Sequence, residues 1–511
     1  MPPSPDAPKR IEPSFPQEAA DKLGQSLVGS VVLPTDQSYD ACRQAYIKTY
    51  QQFPQIIVYC EIYRDVTLAL TFAKTYGLEV TCRSGGHNTA GHCVNSGLVI
   101  DLSRMNHVSV DPGRKRATVG PGASFEKINA VLDQYRLHAP GAGGCAKVCA
   151  GGYVQGGGYG FTSLMYGMSS DNVVGMVVAL ADGSIVQADE QTNSPLFWAL
   201  RGGTGNNFGI VLEITYQLQD LWKVWGFGIR WEMDAAPAAL AAMQRGFTGP
   251  AAPPRLGYQC LMEWVEPKGS KNRRPVLQMR GMYDGSEDEG RKVLRTMLET
   301  KGAKLEITKV ETYEFLNNFL LFQKTEAARL PVQVREEVDS RYVTTSLGEA
   351  EWRQVTEAFS KSPNDENLIG LEPYGGRITR IDSDATAFVH RTPGFNVYCW
   401  VMWLDEKDRA GAVCFLNKLI EILSNYSNGE ANQNYPRRSN ENYRAMYWAA
   451  NYPNLLAIKR KYDPHNLFSH GQCVFHPAPP AAGDAGAGGK RKLPFDIDAP
   501  IVPIEHFPAI R

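Results

Sequence analysis

The chain has 511 residues, 43% of them apolar, which is enough for two or three domains with sizeable cores. Its 53 basic and 54 acidic side chains leave a net charge of −1, which predicts no broad attraction to nucleic acid or to an anionic membrane. Ten cysteines in so long a chain exclude a dense disulfide scaffold. The sequence shows no secretion signal and no apolar run long enough to span a membrane, so we expect an intracellular, cytoplasmic protein.

The chain divides into five stretches by composition. Residues 1–28 are rich in proline and polar side chains and predict a mobile arm. Over residues 29–217, short apolar strands alternate with amphipathic helices, whereas glycine becomes sparse over residues 218–425. Residues 426–476 form a further segment, and residues 477–511 are a tail of proline, alanine and glycine that we expect to be poorly ordered.

The second half of the chain predicts long helices and one broad sheet. Residues 394–404 alternate between two faces, with Tyr398 and Trp400 on the same one, which predicts a strand in a sheet with an aromatic face. Apolar residues at helical spacing predict helices over residues 235–247, 284–300, 409–424 and 441–461.

Two glycine-rich segments carry the chemistry. Arg83-Ser84-Gly85-Gly86-His87 follows a strand predicted over residues 79–83, and residues 141–160 are so rich in glycine that we expect a loop there. Backbone N–H groups in such turns can hold a pyrophosphate, because no Cβ blocks its approach. Gly120-Pro121-Gly122 offers a further turn of this kind. The sequence therefore predicts a site for a dinucleotide.

Other interpretations of these segments fit less well. A nicotinamide site at residues 156–160 lacks the flanking strand and helix and the acidic residue downstream. A metal site on His87 and His92 lacks a third ligand, so we expect no metal. Taken singly, His87 is typical of a structural histidine and Cys145 of a small buried side chain. Their occurrence together in glycine-rich frames favours reactive roles.

From about residue 31 to 216, and again from 388 to 476, the chain resembles the berberine-bridge-enzyme-like branch of the vanillyl-alcohol-oxidase flavoproteins. R-S-G-G-H and G-x-C-x-x-V-x-x-G-G are the two FAD-attachment motifs of that branch. The resemblance rests on residues 83–87, 144–160, 201–211 and 458–468.

The resemblance implies an α+β fold in which the FAD-binding domain has two parts, residues 29–217 and 426–476. Between them lies a substrate domain whose large antiparallel sheet is backed by helices. FAD would be bonded through its 8α-methyl carbon to His87 and through ring C6 to Cys145. The implied cofactor contacts are Arg83, Ser84, Gly85, Gly86, Asn88, Gly122, Gly151, Gly152, Gly157, Gly158, Gly209 and Val211.

The second motif departs from the family pattern at two positions. Tyr153 stands where family members usually have histidine near the flavin, and tyrosine keeps a donor but carries no positive charge at neutral pH. Cys149 replaces a usual glycine and competes with Cys145 as the sulfur partner. The motif frame favours Cys145.

The family resemblance also implies a reaction, the removal of a hydride from a substrate C–H bond, with a base to take the accompanying proton. Tyr435 occupies the segment that lies near the flavin and is the candidate base, with Tyr153 as a second catalytic candidate. Asn432 and Arg437 replace the tyrosine and the aspartate that usually flank this position, so a packing role for Tyr435 stays open.

Four further residues complete the predicted site. Val148 falls at the oxygen-gate position, where a small side chain favours an oxidase. His390, Tyr398 and Trp400 are candidates for the substrate side, with core packing as the alternative for each.

The leading functional hypothesis is an FAD-linked oxidase that acts on a bulky secondary metabolite, such as an alcohol, a phenol or an alkaloid-like compound. Dioxygen would reoxidise the cofactor and leave as hydrogen peroxide. The alternatives are an oligosaccharide oxidase of the same branch and a flavin-bearing binding protein without turnover. The expected partners are a small-molecule substrate and dioxygen, and we expect a monomer.

Overall fold

The computed structural model describes residues 11–142, 145–266, 272–322, 335–475 and 495–504. Its first half contains three small sheets. The first has the order β1-β2-β4-β3 and consists of β1 (Ser30–Val32), β2 (Ile56–Tyr59), β3 (Val80–Arg83) and β4 (Leu98–Asp101). The second has the order β5-β6-β10-β8-β9 and consists of β5 (Val108–Asp111), β6 (Arg116–Val119), β8 (Val173–Ala179), β9 (Ile185–Ala188) and β10 (Ile210–Gln217). The third pairs β7 (Leu137–His138) with β11 (Gln219–Asp220).

Helices surround these sheets and share two apolar cores with them. β3 and β4 run parallel, and β3 continues into the loop of the first glycine-rich motif. The helices of this half are α1 (Gln17–Ser26), α2 (Tyr39–Cys42), α3 (Tyr63–Tyr76), α4 (Phe125–Asp133), α5 (Ala150–Gln155), α6 (Ser163–Tyr166) and α7 (Ser194–Leu200).

The second half is built on one antiparallel sheet of seven strands in the order β15-β12-β14-β13-β17-β18-β16. Its strands are β12 (Lys223–Glu232), β13 (Leu256–Val265), β14 (Arg274–Tyr283), β15 (Lys304–Thr312), β16 (Arg335–Val343), β17 (Leu368–Pro373) and β18 (Phe395–Trp403). The helices are α8 (Ala236–Phe247), α9 (Glu287–Val293), α10 (Arg295–Leu298), α11 (Tyr313–Phe322), α12 (Glu349–Phe359) and α13 (Arg409–Ser424).

The two faces of this sheet differ because strand side chains alternate. Met262, Leu371 and Cys399 lie on the face whose apolar core includes residues of α8, α12 and α13. Leu261 and Tyr398 point to the opposite face, which borders a large cavity. The α+β class and the large antiparallel sheet backed by helices are thus confirmed.

Two expectations about the ends of the chain are wrong where the structure describes them. Phe15 packs its ring 5.0 Å from that of Phe72, and α1 covers the same core, so residues 15–26 are not a mobile arm. In the predicted tail, Phe495 contacts Trp198 and the backbone N–H of Ile504 donates to Ile185 O, so residues 495–504 are ordered against the first half. The rest of that tail lies outside the described residues.

Two helix predictions and one loop prediction also need correction. Residues 284–300 form two short helices, α9 and α10, instead of one. The predicted helix over residues 441–461 is split into α14 (Tyr443–Trp448) and α15 (Tyr452–Tyr462), because Ala449 adopts φ +40° and Pro453 begins a new helix. Within the glycine-rich stretch, α5 is a helix, and Gly151 lets it approach the first motif: a Cβ there would lie 2.6 Å from Ser84 Oγ.

Candidate active site

A cavity of about 920 Å³ lies between the glycine-rich loops and the open face of the seven-stranded sheet. Loops from the first half line one side of it, and strands β13, β14, β16, β17 and β18 line the other. Residues 432–436 and Gln472 from the C-terminal part close it. The cavity is therefore built from three separate stretches of the chain.

The first motif forms a rigid loop at the end of β3. The Arg83 guanidinium is buried, pairs with Asp101 at 2.6 Å, and donates to the carbonyl oxygens of Cys42 and Gln44. Arg83 therefore fixes the loop, and its charge is balanced by Asp101.

The loop presents the imidazole of His87 to the cavity. Its Nδ1 lies 3.1 Å from Gly85 O, and its ring stacks on that of Tyr46 at 4.4 Å. Burial lowers the pKa of His87, so its imidazole is neutral at physiological pH and has a lone pair for bond formation. The geometry suits a tethering nucleophile.

Cys145 is brought to the same place from the second motif. Its Sγ lies 3.9 Å from His87 Nε2, and burial raises the pKa of the thiol. Cys149 also lines the cavity, but its Sγ lies 2.7 Å from where a Cβ on Gly85 would be, and burial raises the pKa of its thiol to about 11. Of the two cysteines, Cys145 is the one recorded in contact with His87.

The predicted cofactor contacts fall into two groups. The cavity is lined by Ser84, Gly85, Gly86, Asn88, Gly151, Gly152, Val211 and Val148, the last of these being the predicted oxygen gate. Gly122, Gly157, Gly158 and Gly209 lie outside this lining, and their role as cofactor contacts stays a prediction. These four glycines serve close packing behind the wall: a Cβ on Gly122 would lie 2.3 Å from Leu102 O, and one on Gly157 would lie 2.5 Å from the ring of Phe388.

The wall fits a flat dinucleotide. Apart from neighbouring residues of α5, no atom of the described residues lies within 4 Å of where a Cβ on Gly152 would be, so the helix faces open cavity there. The buried side-chain oxygen Oε1 of Gln155 and ring nitrogen Nε2 of His92 have no hydrogen-bond partner in the described structure, and both residues line the cavity. Polar atoms of this kind fit the hydroxyl and phosphate groups of FAD.

Tyr153 does not have a free hydroxyl. The Ala142 backbone N–H donates to it at 2.8 Å, and it donates in turn to the backbone oxygen of Tyr159. Burial raises its pKa well above the usual range. The prediction of Tyr153 as a catalytic residue is therefore corrected, because both of these bonds are to the protein's own backbone.

The second catalytic candidate, Tyr435, has a partner that the sequence did not indicate. The Tyr435 hydroxyl donates at 2.7 Å to Oε1 of Glu372 on β17, and the Asn396 side-chain amide donates at 2.9 Å to the other carboxyl oxygen. Burial raises the pKa of Glu372 to about 7. Burial and the nearby Glu372 raise the pKa of Tyr435 well above its usual range. The phenol therefore stays protonated and hydrogen-bonded to the carboxyl group of Glu372.

The three substrate-side candidates separate in the structure. Tyr398 stacks on Tyr435 at 4.9 Å, and Trp400 donates at 3.0 Å to Oε2 of Glu336; both aromatic side chains line the cavity. His390 does not, because it is fully buried and its ring nitrogens contact Glu430 and Gln433. Its prediction as a substrate residue is wrong.

The sequence also missed polar residues on the sheet. Glu336 has a carboxyl oxygen without a recorded partner, and burial raises its pKa to about 7. Further along the wall, Arg280 pairs with Glu263 next to Gln259. These polar residues lie in strands without a recognisable motif. In the sequence, only their alternation with apolar neighbours could have pointed to them.

The unusual Arg437 has a structural role. Its buried guanidinium lies 2.5 Å from Glu337 and 3.4 Å from Asp339 on β16. These ion pairs hold the segment of Tyr435 against the sheet. The departure from the family pattern at this position thus keeps Tyr435 at the cavity.

Two family models match the chain, one described as an FAD binding domain over residues 54–189 and one as berberine and berberine like over residues 425–474. The chain is 27% identical to the uncharacterised FAD-linked oxidoreductase YgaK of Bacillus subtilis, over 88% of this chain and 97% of that protein. It is 26% identical to glucooligosaccharide oxidase of Sarocladium strictum, over 80% and 84% of the two chains. These matches identify the chain as an FAD-dependent oxidoreductase that is similar to berberine-bridge-enzyme-like proteins.

The fold of this FAD-dependent oxidoreductase is shared with solved structures. BBE-like 1 of Physcomitrella patens superposes with a TM-score of 0.79 at 22% identity, over 90% of this chain and all (100%) of that one. A glucooligosaccharide oxidase of Acremonium strictum superposes with a TM-score of 0.78 at 20% identity, over 89% and 99%, and is described as carrying a 6-S-cysteinyl, 8α-N1-histidyl FAD. In the described part of the chain, no helix combines the length and apolarity needed to cross a membrane.

Proposed function

We propose that this chain oxidises a C–OH group of a bulky, hydroxylated organic substrate to a carbonyl, with covalently held FAD as the hydride acceptor and dioxygen as the final oxidant. The observation that carries this proposal is the pair formed by Tyr435 and Glu372 on the cavity wall. An alcohol loses a hydride and a proton on oxidation, and this pair provides a place for the proton.

Residues on the sheet side and in the C-terminal segment would handle the proton and contact the substrate. Tyr435 would accept a hydrogen bond from the substrate hydroxyl and take its proton as it gives its own to Glu372. Asn396 holds the carboxyl group in place through its amide. Tyr398 and Trp400 offer aromatic surface for a large substrate. FAD, when bound, supplies the acceptor for the hydride and passes the two electrons to dioxygen.

His87 and Cys145 are proposed as the two attachment points. Each bond replaces an N–H or S–H bond and a flavin C–H bond with one N–C or S–C bond, and the two electrons and two protons released would reduce dioxygen to hydrogen peroxide. The 3.9 Å between Cys145 Sγ and His87 Nε2 places both nucleophiles at one end of the cavity. A relative described with the same pair of bonds supports this assignment.

A carbohydrate substrate is the second candidate. Trp264 and Trp400 line the cavity together with the charged side chains of Arg273, Asp365 and Glu366. Indole rings beside polar groups suit the stacking and hydrogen bonding of a sugar ring, and oligosaccharide oxidases are among the relatives. A secondary-metabolite alcohol would use the same aromatic surface with fewer polar contacts.

Anaerobic reduction of the purified yellow protein tests the proposal. Secondary-metabolite alcohols, phenols and oligosaccharides are added in turn, and loss of flavin absorption is followed. Bleaching by one class, with hydrogen peroxide released when air is admitted, supports an oxidase of that class. If no class bleaches the protein while dithionite does, the binding-protein hypothesis replaces this one.

The attachment is tested separately by acid precipitation and peptide mapping. In the parent protein we expect one flavin bonded to peptides containing His87 and Cys145. His87→Ala should leave only the cysteine bond, and Cys145→Ala only the histidine bond. A flavin that washes wholly into the acid supernatant contradicts both attachments.

A further inference from the structure

We propose that Tyr153 is a positioning residue for the Cys145 thioether: its hydroxyl bridges two loops and thereby holds the attachment loop at the cavity. The inference rests on the proposed attachment at Cys145. It assigns Tyr153 a role in covalent loading, in place of the catalytic role predicted from the sequence.

The first observation is the Tyr153 bridge itself, defined as the hydrogen bonds from Ala142 N–H to the Tyr153 hydroxyl and from that hydroxyl to Tyr159 O. Ala142 is 1% exposed and Tyr159 is 4% exposed, so water does not readily replace these bonds. A phenol satisfies both backbone groups because a hydroxyl donates and accepts at once.

The second observation is the conformation of Ala142. It adopts φ +44°, a left-handed conformation that an L-residue with a Cβ rarely takes, only three positions before Cys145. Such a conformation persists when surrounding contacts enforce it. The Tyr153 bridge supplies such a contact on the N-terminal side of the cysteine.

The C-terminal side of Cys145 is already anchored. Glu126 N–H donates to Ala146 O at 2.7 Å, and Phe125 N–H donates to Val148 O at 3.1 Å. These bonds tie the residues after the cysteine to the start of α4. They act after the cysteine, the Tyr153 bridge acts at Ala142 before it, and Cys145 Sγ lies 3.9 Å from His87 Nε2.

The ring of Tyr153 is itself fixed in place. It packs edge-on against Phe125 at 5.0 Å, and a Cβ on Gly158 would lie 2.6 Å from it. Its backbone oxygen accepts from the Asn434 side-chain amide at 3.0 Å. The hydroxyl is therefore presented from a rigid support, and removal of this single oxygen leaves the ring packing intact.

Thioether formation replaces the Cys145 S–H bond and the flavin C6–H bond with one S–C bond, and the two electrons and two protons released reduce dioxygen to hydrogen peroxide. This step requires the sulfur to reach one ring carbon, so it is sensitive to the position of the loop. Attachment at His87 depends on a different loop and should not respond to Tyr153.

The test is the number and location of covalent bonds to flavin in Tyr153→Phe, measured by peptide mass mapping after acid precipitation, which needs no activity. We expect the fraction of chains bonded through Cys145 to fall about tenfold, as a buried N–H loses its partner, while the His87 bond remains. Tyr39→Phe is the matched control, because Tyr39 also donates to a backbone oxygen in the same half, at 2.8 Å from Pro54 O, and is remote from the loop. It should keep both bonds.

A second pair of variants separates this inference from the proposed attachment. In His87→Ala the thioether is the sole tether, and adding Tyr153→Phe should move most of the flavin into the acid supernatant. If His87→Ala alone releases all of its flavin, the thioether does not exist and this role is overturned with it. If Tyr153→Phe keeps both bonds at parent levels, the positioning role is overturned while the attachment stands. Tyr153→His preserves one polar partner and should retain an intermediate fraction of chains bonded through Cys145. This variant replaces Tyr153→Phe in the test if the phenylalanine variant does not fold.

Discussion

The phenol of Tyr435 donates a 2.7 Å hydrogen bond to Oε1 of Glu372, although the two residues are 63 positions apart in the chain. Tyr435 comes from the C-terminal segment, and Glu372 comes from strand β17 of the seven-stranded sheet. The proton pathway of the proposed oxidation thus depends on how the C-terminal segment packs on the seven-stranded sheet.

Tyr435→Phe should slow anaerobic flavin reduction by about 10²–10⁴-fold, because the proton of the substrate hydroxyl loses its acceptor. Rapid-mixing absorption measurements with the substrate found in the screen give this rate. Covalent flavin content should match the parent, since Tyr435 is not an attachment residue. A rate within threefold of the parent would refute the role of Tyr435 as base.

Glu372→Gln should abolish one step in the pH profile of flavin reduction. With a pKa of about 7, Glu372 is a carboxylate above that pH and accepts the proton, and below it the group is already protonated. The parent rate should therefore rise between about pH 6 and 8, while the variant stays slow and flat across that range. An unchanged inflection in the variant would assign the titration to another group.

Glu336→Gln should change the pH dependence of folding. Burial raises the pKa of Glu336 from 4.5 to about 7, so its favourable contribution is complete below about pH 4.5 and is lost as the pH rises through 7. Between pH 5 and 8 the parent should lose up to about 3 kcal/mol more of its unfolding free energy than the variant. Urea denaturation at the two pH values measures this difference, and Glu349→Gln, at an exposed helix position, is the control.

Gly85→Ala should destabilise the first motif, and Cys149→Ala should restore part of the loss. A Cβ on Gly85 would lie 2.7 Å from Cys149 Sγ, so one of the two groups must move. Overpacking of this kind costs about 1–3 kcal/mol. Thermal unfolding of the two single variants and the double variant forms a cycle, and purely additive effects would show that the two residues do not share this space.

The sequence could predict those parts of the site that come from contiguous motifs. His87 and Cys145 each lie in a glycine-rich frame, and the structure brings them together. Tyr435 was a candidate because its segment follows a family pattern. Glu372 lies in no such motif. A glutamate in a predicted strand is expected to face solvent until the register of the sheet is known.

Errors arose where packing in three dimensions decides the role of a residue. His390 lies between aromatic residues in the sequence, but Glu430 and Gln433 take up both ring nitrogens. Tyr153 occupies a position next to the cofactor in the family, but a bond to Ala142 occupies its hydroxyl. The many glycines of residues 141–160 suggested a loop throughout. Six residues of this stretch, Ala150–Gln155, instead form α5, and Gly151 allows this helix to contact the neighbouring loop closely.

The cavity takes wall residues from Tyr46 near the beginning of the chain to Gln472 near its end. During synthesis on the ribosome, His87 and Cys145 emerge long before Asn434 and Tyr435, which complete their surroundings. Until those residues are in place, the surface that would bind the flavin is incomplete. A complete binding surface for the cofactor therefore requires that the chain has folded as far as Gln472.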